Sequence, residues 1–506
     1  MVWGFRKIVL FALLMAAASL LHAQDDRTTQ NGSSAYGGGF ITGPASNPLS
    51  FINGPAYRTF GKTQADALTT TGAARSGASG PASYDFPDFA PATLLNKQLP
   101  RWISFGWEER LRYEGYHNSS FKLNNNDSYL LLRSRLMMNV RPTQWFKVSV
   151  QLQDARPFMQ KPPYGPPNLN AWDLKLAYAE FGDPEKQWIS VRVGRQLINY
   201  NNTIMANSEW RDQARSYDAA VVNLHHDRYR LGLFAASAVI TLAEGISHHL
   251  EGNNIYGAYG GIDGLLPNST LEPFVLWRVQ PSVAVETTAK IKTGRQDEKA
   301  YGFRFKGLAL PGLDYSVEAV SERGHDGTNG IRAWATTIGA GYRISPLWAK
   351  PRVFWQYDYA SGDSNSTDGT HGTFDTMYPT THDRFGIADL FGWQNIQTER
   401  VGLTIEPRRR WTVTGQYLNL GLANATDSLY SLSGASIVRD ASGKWGKHIG
   451  QEYDAYTWYE LNRHINVGVG IAHIQGGEFL QHNSKGPNYN APYFAFNFKD
   501  NPSPQR

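Results

Sequence analysis

Residues 127–154 alternate apolar and polar side chains on both sides of a Pro142-Thr143 turn, and a period of two belongs to strands. Leu130, Leu132, Leu136, Met138 and Val140 share one face, with Ser134 as the intruder. Asp127, Arg133, Arg135, Asn139 and Arg141 share the other. After the turn, Phe146, Val148, Val150 and Leu152 oppose Lys147, Ser149, Gln151 and Gln153. A soluble half-buried sheet seldom stacks arginines like this along strands so long. A tilted membrane-spanning strand needs about 9–11 residues, and this hairpin supplies two.

The pattern starts at Arg101, where Ile103, Phe105, Trp107, Leu111 and Tyr113 oppose Ser104, Glu108, Arg110 and Arg112, with Glu109 as the misfit. It continues to about residue 499 in 18 strand-like segments, and an even count suits a closed bacterial barrel. Short turns (141–143, 183–186, 346–347, 406–408) fall between long excursions near 156–169, 197–216, 240–252, 362–394 and 422–446. The prediction is an all-β chain: a transmembrane antiparallel β-barrel of about 18 strands. Trp102, Trp107, Trp145, Phe146, Trp188, Trp348, Trp411, Trp458 and Tyr459 lie near strand ends, where interfacial girdles are expected. The last segment, 493–498, resembles the terminal signal read by outer-membrane assembly machinery.

Arg6 and Lys7 precede the apolar run 8–21 and a Leu21-His22-Ala23 cleavage site, which predicts a signal peptide over 1–23. Residues 24–100 are rich in Gly, Ser, Thr, Asn and Pro and predict a flexible leader. This leader is short for the globular plug of an energy-coupled receptor. The barrel is expected over 101–499 and a tail over 500–506. Without Arg6 and Lys7 the 49 basic residues become 47 against 44 acids, so the net charge falls from +5 to +3. That is too little to imply nucleic acid. There is no cysteine, which excludes disulfides, thiolate metal sites and a lipoprotein anchor.

No nucleophile elbow, Walker loop, dinucleotide fingerprint or zincin helix occurs, so no enzyme and no cofactor are expected. The histidine pairs 225–226 and 248–249 would point to opposite strand faces and make poor metal sites. The run 361–369 holds Asp363 and Asp368, weak candidates for Ca²⁺, but it lacks the closing Glu of an EF-hand; a solvated loop is the better reading.

Two motif groups go beyond periodicity. One is Gly194-Arg195-Gln196, Trp210-Arg211 and Arg215 to Asp218; the other is Ser361-Gly362-Asp363, Gly372 to Asp375, and Asp389 to Asn395. With Gly341-Tyr342, the run 450–454 and the run 476–480, these closely resemble the alginate export family of outer-membrane barrels. The resemblance implies 18 strands in a Gram-negative outer membrane and a pore whose arginines attract an anionic sugar polymer. It fixes the architecture better than the solute.

Strand parity independently places Arg110, Arg112, Arg133, Arg135, Lys147, Lys175, Arg192, Arg304, Lys306 and Arg343 inward, together with Glu108, Asp173, Asp314, Glu318, Asp358, Glu406 and Asp454. The expected function is a passive channel for anionic oligo- or polysaccharides or other small anions, set in lipid and lipopolysaccharide. The rivals are a barrel enzyme with a rim active site and a secreted, soluble β-fold sugar-binding protein.

Overall fold

The computed structural model describes residues 86–501, apart from 164, 166, 185, 186, 202, 286–291 and 381. The predicted signal peptide and the leader up to residue 85 lie outside the described residues. Eighteen antiparallel strands pair in sequence order. They are β1 (Ile103–Tyr116), β2 (Asp127–Thr143), β3 (Phe146–Phe158), β4 (Asn170–Phe181), β5 (Ile189–Gln196), β6 (Tyr217–His226), β7 (Tyr229–Ile240), β8 (His248–Asp263) and β9 (Ser269–Val285). The other half is β10 (Lys292–Leu310), β11 (Leu313–Asp326), β12 (Asn329–Arg343), β13 (Arg352–Ala360), β14 (Ile396–Arg408), β15 (Trp411–Leu422), β16 (His448–Glu460), β17 (Ile465–Gly476) and β18 (Tyr489–Asp500).

The sheet closes because β1 pairs with β18, in register from Trp107–Asp500 to Glu114–Tyr493. Closure leaves no edge, and so satisfies every strand backbone group without water. All five long excursions lie at one end of the barrel, and the eight connections at the other end are each at most eight residues long.

The alternation decides which side chains face out. Leu136, Met138 and Leu152 are exposed, whereas Arg133, Arg135 and Lys147 on the opposite parity are buried inside. The two residues that break the pattern meet each other. Ser134 Oγ donates to Glu109 Oε1 at 2.6 Å, and Trp107 Nε1 donates to Oε2 at 3.1 Å. A buried or lipid-facing carboxylate is costly unless hydrogen-bonded, so each misfit answers the other.

Trp102, Trp145, Trp188, Trp348 and Trp411 are exposed at the short-turn end and form the expected girdle there. Trp458 does not join it. Its ring is buried inside, packed against Tyr493 and over Gly468, because its position has the inward parity of Glu452 and Asp454.

The end of the predicted leader is ordered. Helix α1 (Pro91–Asn96) sits across the closing seam. Thr93 donates from its backbone N and Oγ1 to the Asp500 carboxylate at 3.0 and 2.6 Å, and Asn96 exchanges two hydrogen bonds with the Phe105 backbone.

A closed sheet of this kind should keep its folded mobility on a gel until boiled. In detergent, the unboiled chain should migrate differently from the boiled one, with circular dichroism dominated by strand; identical mobilities would contradict the closed barrel.

Candidate pore constriction

The loop 197–216 leaves β5 and turns back inside the barrel. Its departure begins at Gly194, whose φ of +117° and contact with the Ala177 carbonyl exclude a side chain; a Cβ would lie 2.3 Å from that oxygen. Farther along, Asn201 and Thr203 both donate to Glu318 Oε1 on β11, each at 2.6 Å. The loop then reaches the β1–β4 wall, so it crosses the lumen as a chord.

On that wall the first two strands supply four arginines, all pointing inward as their parity requires. Arg110 donates to the Glu209 carbonyl at 2.8 Å and pairs with Asp212 at 2.5 Å. Arg112 donates to the Trp210 carbonyl at 2.6 Å, lies 3.8 Å over the Trp210 ring and pairs with Glu114. Arg133 faces the Glu209, Arg211 and Asp212 carbonyls at 3.3–3.4 Å, and Arg135 holds Glu209 Oε2 at 2.9 Å. Lys175 donates to the Gln213 and Ala214 carbonyls. Burial by itself would raise the Glu209 carboxyl, but Arg135, Arg133, Lys175 and Arg110 outweigh it and hold the group well below the usual carboxylate range.

These cations, expected to line an open sector, are covered by loop 197–216 and clamp it. Buried charges need such partners, and charge-assisted bonds are the strong ones.

A second loop, 361–395, folds against the first. The Ala206 N–H donates to the Tyr378 carbonyl at 2.8 Å and the Tyr378 N–H to the Ile204 carbonyl at 3.1 Å. The His382 ring stacks on Trp210 at 5.1 Å, opposite Arg112. Arg278 pairs with Asp375, whose N–H donates to Glu322 at 2.9 Å. Arg384 pairs with Asp358 at 3.0 Å. On β16 the carboxylates of Asp454 and Glu452 accept the Ile387 and Ala388 N–H groups at 3.0 and 2.9 Å. Gly386 lies directly on Glu452; a Cβ there would be 2.1 Å from the carboxyl, and φ is +90°. The loop also brings Phe374, Phe385, Phe391 and Trp393 into the interior, each at most 1 % exposed.

The inward charges elsewhere on the wall are also paired, some between adjacent strands and some between strands two apart. Arg192 and Lys147 share Glu180, Arg304 and Lys306 share Glu272, Arg343 holds Glu406 at 2.6 Å, and Arg352 holds Asp314 at 2.6 Å. Glu108 pairs with Lys499 at 3.1 Å, and Asp173 accepts the Ser247 N–H at 2.8 Å.

The motif residues divide by role. Gln196 is buried and donates to the Ala219 carbonyl at 3.0 Å. Arg195 has outward parity and grips Asp218 with two bonds of 2.8 and 3.0 Å, beside His249. Asn395 ties loop 361–395 to the carbonyls of Asn424 and Ser428 at 3.0 and 2.9 Å. Asp363 and Asp368 cap backbone N–H groups of their own loop, and among the described residues no three acidic or histidine side chains converge as metal ligands.

Arg211 differs from these. Its side chain makes no hydrogen bond or ion pair among the described residues. Burial and the neighbouring Arg215 lower its pKa to about 10, with Asp389 opposing them. Arg215 donates to the Ala206 and Pro379 carbonyls and lies 5.3 Å over Tyr378. Asp389 is 5 % exposed, with one carboxylate oxygen unbonded.

Glu209 and Asp375 lie in motif stretches to which the sequence assigned no role, and Asp212, Arg278 and His382 were not singled out. A signal was present: the stretch 385–393 is too apolar for a solvated loop, and the inward parity near the long-loop end turns apolar at Tyr129, Leu131 and Leu418.

Fold and lumen together define an outer-membrane β-barrel channel. The alginate export family profile matches residues 101–493, and the chain belongs to that family. Among solved structures, it is similar to Pseudomonas aeruginosa OccD3 (OpdP), with a TM-score of 0.54, 10 % identity and 79 % of this chain covering 91 % of that one. Pseudomonas aeruginosa OccK11 (OpdR) gives 0.51, 10 %, 78 % and 95 %. Pseudomonas aeruginosa OpdK solved with vanillate gives 0.52, 9 %, 78 % and 98 %. At these identities the likeness is one of fold. No curated protein sequence is significantly similar to this chain.

Proposed function

We propose that the chain is a passive channel of a Gram-negative outer membrane that passes small anionic solutes, carboxylates and acidic sugars above all. The observation that carries this reading is Arg211 beside Arg215 on the lumen loop, with the Arg211 guanidinium unengaged among the described residues. Two adjacent guanidinium groups inside a low-dielectric wall concentrate anions, and a planar fork suits a carboxylate. The family's export of alginate, a polyuronate, and the vanillate held by one fold neighbour agree with that chemistry.

The test is the reversal potential of single channels across a salt gradient, with and without oligouronates. The wild type should prefer anions at about 0.1 M salt and lose the preference near 1 M, as the Debye length contracts from about 10 to about 3 Å. Arg211→Gln with Arg215→Gln should lower the anion-to-cation permeability ratio severalfold and weaken block by oligouronates. An unchanged ratio at low salt would reject the reading.

A further inference from the structure

The outward face of β10–β12 carries a row of cations. Lys299 on β10, Arg323 on β11 and Arg332 on β12 are direct neighbours in register, and each side chain points away from the lumen. Arg295 and His325 are exposed nearer the long-loop end. The one acid among them is Asp297, paired with Lys299 at 2.6 Å, which leaves a net positive patch.

The same strands present the opposite sign inside, where Glu298, Glu322 and Asp326 are buried. The patch is therefore not overflow from a basic lumen. By contrast, the outward row Glu399, Asn419, Gln451 and Gln475 on β14–β17 has no cation, and the outward Arg156 and Arg195 on β3 and β5 are each paired with an aspartate.

Its height is set by aromatics. The Lys299 ammonium lies 5.4 Å over the Trp277 ring. One outward position nearer the short-turn end, Tyr301, Ser321 and Trp334 follow in register, and Trp334 stacks on Tyr359 at 4.6 Å. Exposed tyrosines and tryptophans mark the boundary between acyl chains and head groups. Cations just beyond them, toward the long loops, stand at head-group depth.

We infer that Lys299, Arg323 and Arg332 form a docking site for the phosphorylated head group of an outer-leaflet glycolipid, its acyl chains lying against the Trp277–Trp334 face. Arg323 donates one guanidinium nitrogen to the Glu322 and Ala333 carbonyls, which orients the rest of the fork outward, and the Arg332 side chain is exposed beside it. Arginine pairs with phosphate through two parallel bonds. This inference rests on the outer-membrane reading of the barrel, not on the solute it passes.

The experiment is native mass spectrometry of the full chain in detergent with bisphosphorylated lipid A, dephosphorylated lipid A or inorganic pyrophosphate. The wild type should retain bisphosphorylated lipid A and neither of the others. Lys299→Gln with Arg323→Gln and Arg332→Gln should weaken retention about a hundredfold, from roughly a fivefold effect per cation near a charged lipid surface. Arg409→Gln at the short-turn end should change nothing. Retention of dephosphorylated lipid A as strongly as the phosphorylated form, or capture of pyrophosphate alone, overturns the proposal on the wild-type protein. Equal lipid A retention by the triple variant and the wild type also overturns it. A chain with no heat-modifiable mobility in the same detergent fails at the membrane reading instead, and that separates the two.

Discussion

Replacing residues 203–214 by a short Gly-Ser linker should raise single-channel conductance several-fold and strengthen anion preference at low salt. The loop crosses the lumen from Glu318 to the β1–β4 wall, so its removal widens the path at the level of that chord. It also uncovers Arg110, Arg112, Arg133 and Arg135, which lose the carbonyls and the carboxylates of Glu209 and Asp212 that now hold them. Four guanidinium groups facing water in one sector present the field that strand parity alone had suggested. The barrel should still assemble, because its closure runs through backbone pairs that the deletion does not touch. Unchanged conductance in planar bilayers would mean that the narrowest point lies elsewhere, and a lower anion preference would mean that Arg211 alone sets selectivity.

The second large effect separates the two faces of one strand. Leu136→Arg should nearly abolish the assembled barrel in the outer membrane, whereas Arg133→Leu should leave its amount close to wild type. Leu136 is 59 % exposed on the outer face, beside Trp107 and Leu152 in register. A charge near the lipid midplane there costs about 2–4 kcal/mol. Arg133 lies inside at 7 % exposure, and its loss leaves Glu209 still paired with Arg135 at 2.9 Å. Quantifying heat-modifiable protein in membrane fractions decides it; equal amounts of the two variants would reverse the facing assignment.

The wall of this protein is readable from its sequence because the facing of each side chain repeats every two residues, and lipid tolerates few exceptions. Even Ser134 and Glu109, which interrupt the pattern, do so as a bonded pair on neighbouring strands. The constriction is less legible. Its contacts join side chains to loop carbonyls, as from Arg112 to Trp210, and a carbonyl has no signature in residue type. Parity shows that Arg110 faces inward but not what it meets there. Residue type likewise says little of Trp458, whose aromatic ring suits an interface or an interior equally; only its register with Gly468 makes room for it inside.

The seam held by α1 has a consequence for how the molecule comes into being. Thr93 and Asp500, 407 positions apart, meet only after β18 has reached β1, so the clasp forms at the end of synthesis and not during it. Contacts of such long range make folding slow, and an unpaired strand is a hazard for as long as it waits. The clasp adds side-chain bonds to the strand pair that forms last, the place where a ring of strands would first reopen. It therefore acts on persistence more than on shape, lengthening the lifetime of the closed ring through interactions that an opening transition must break first.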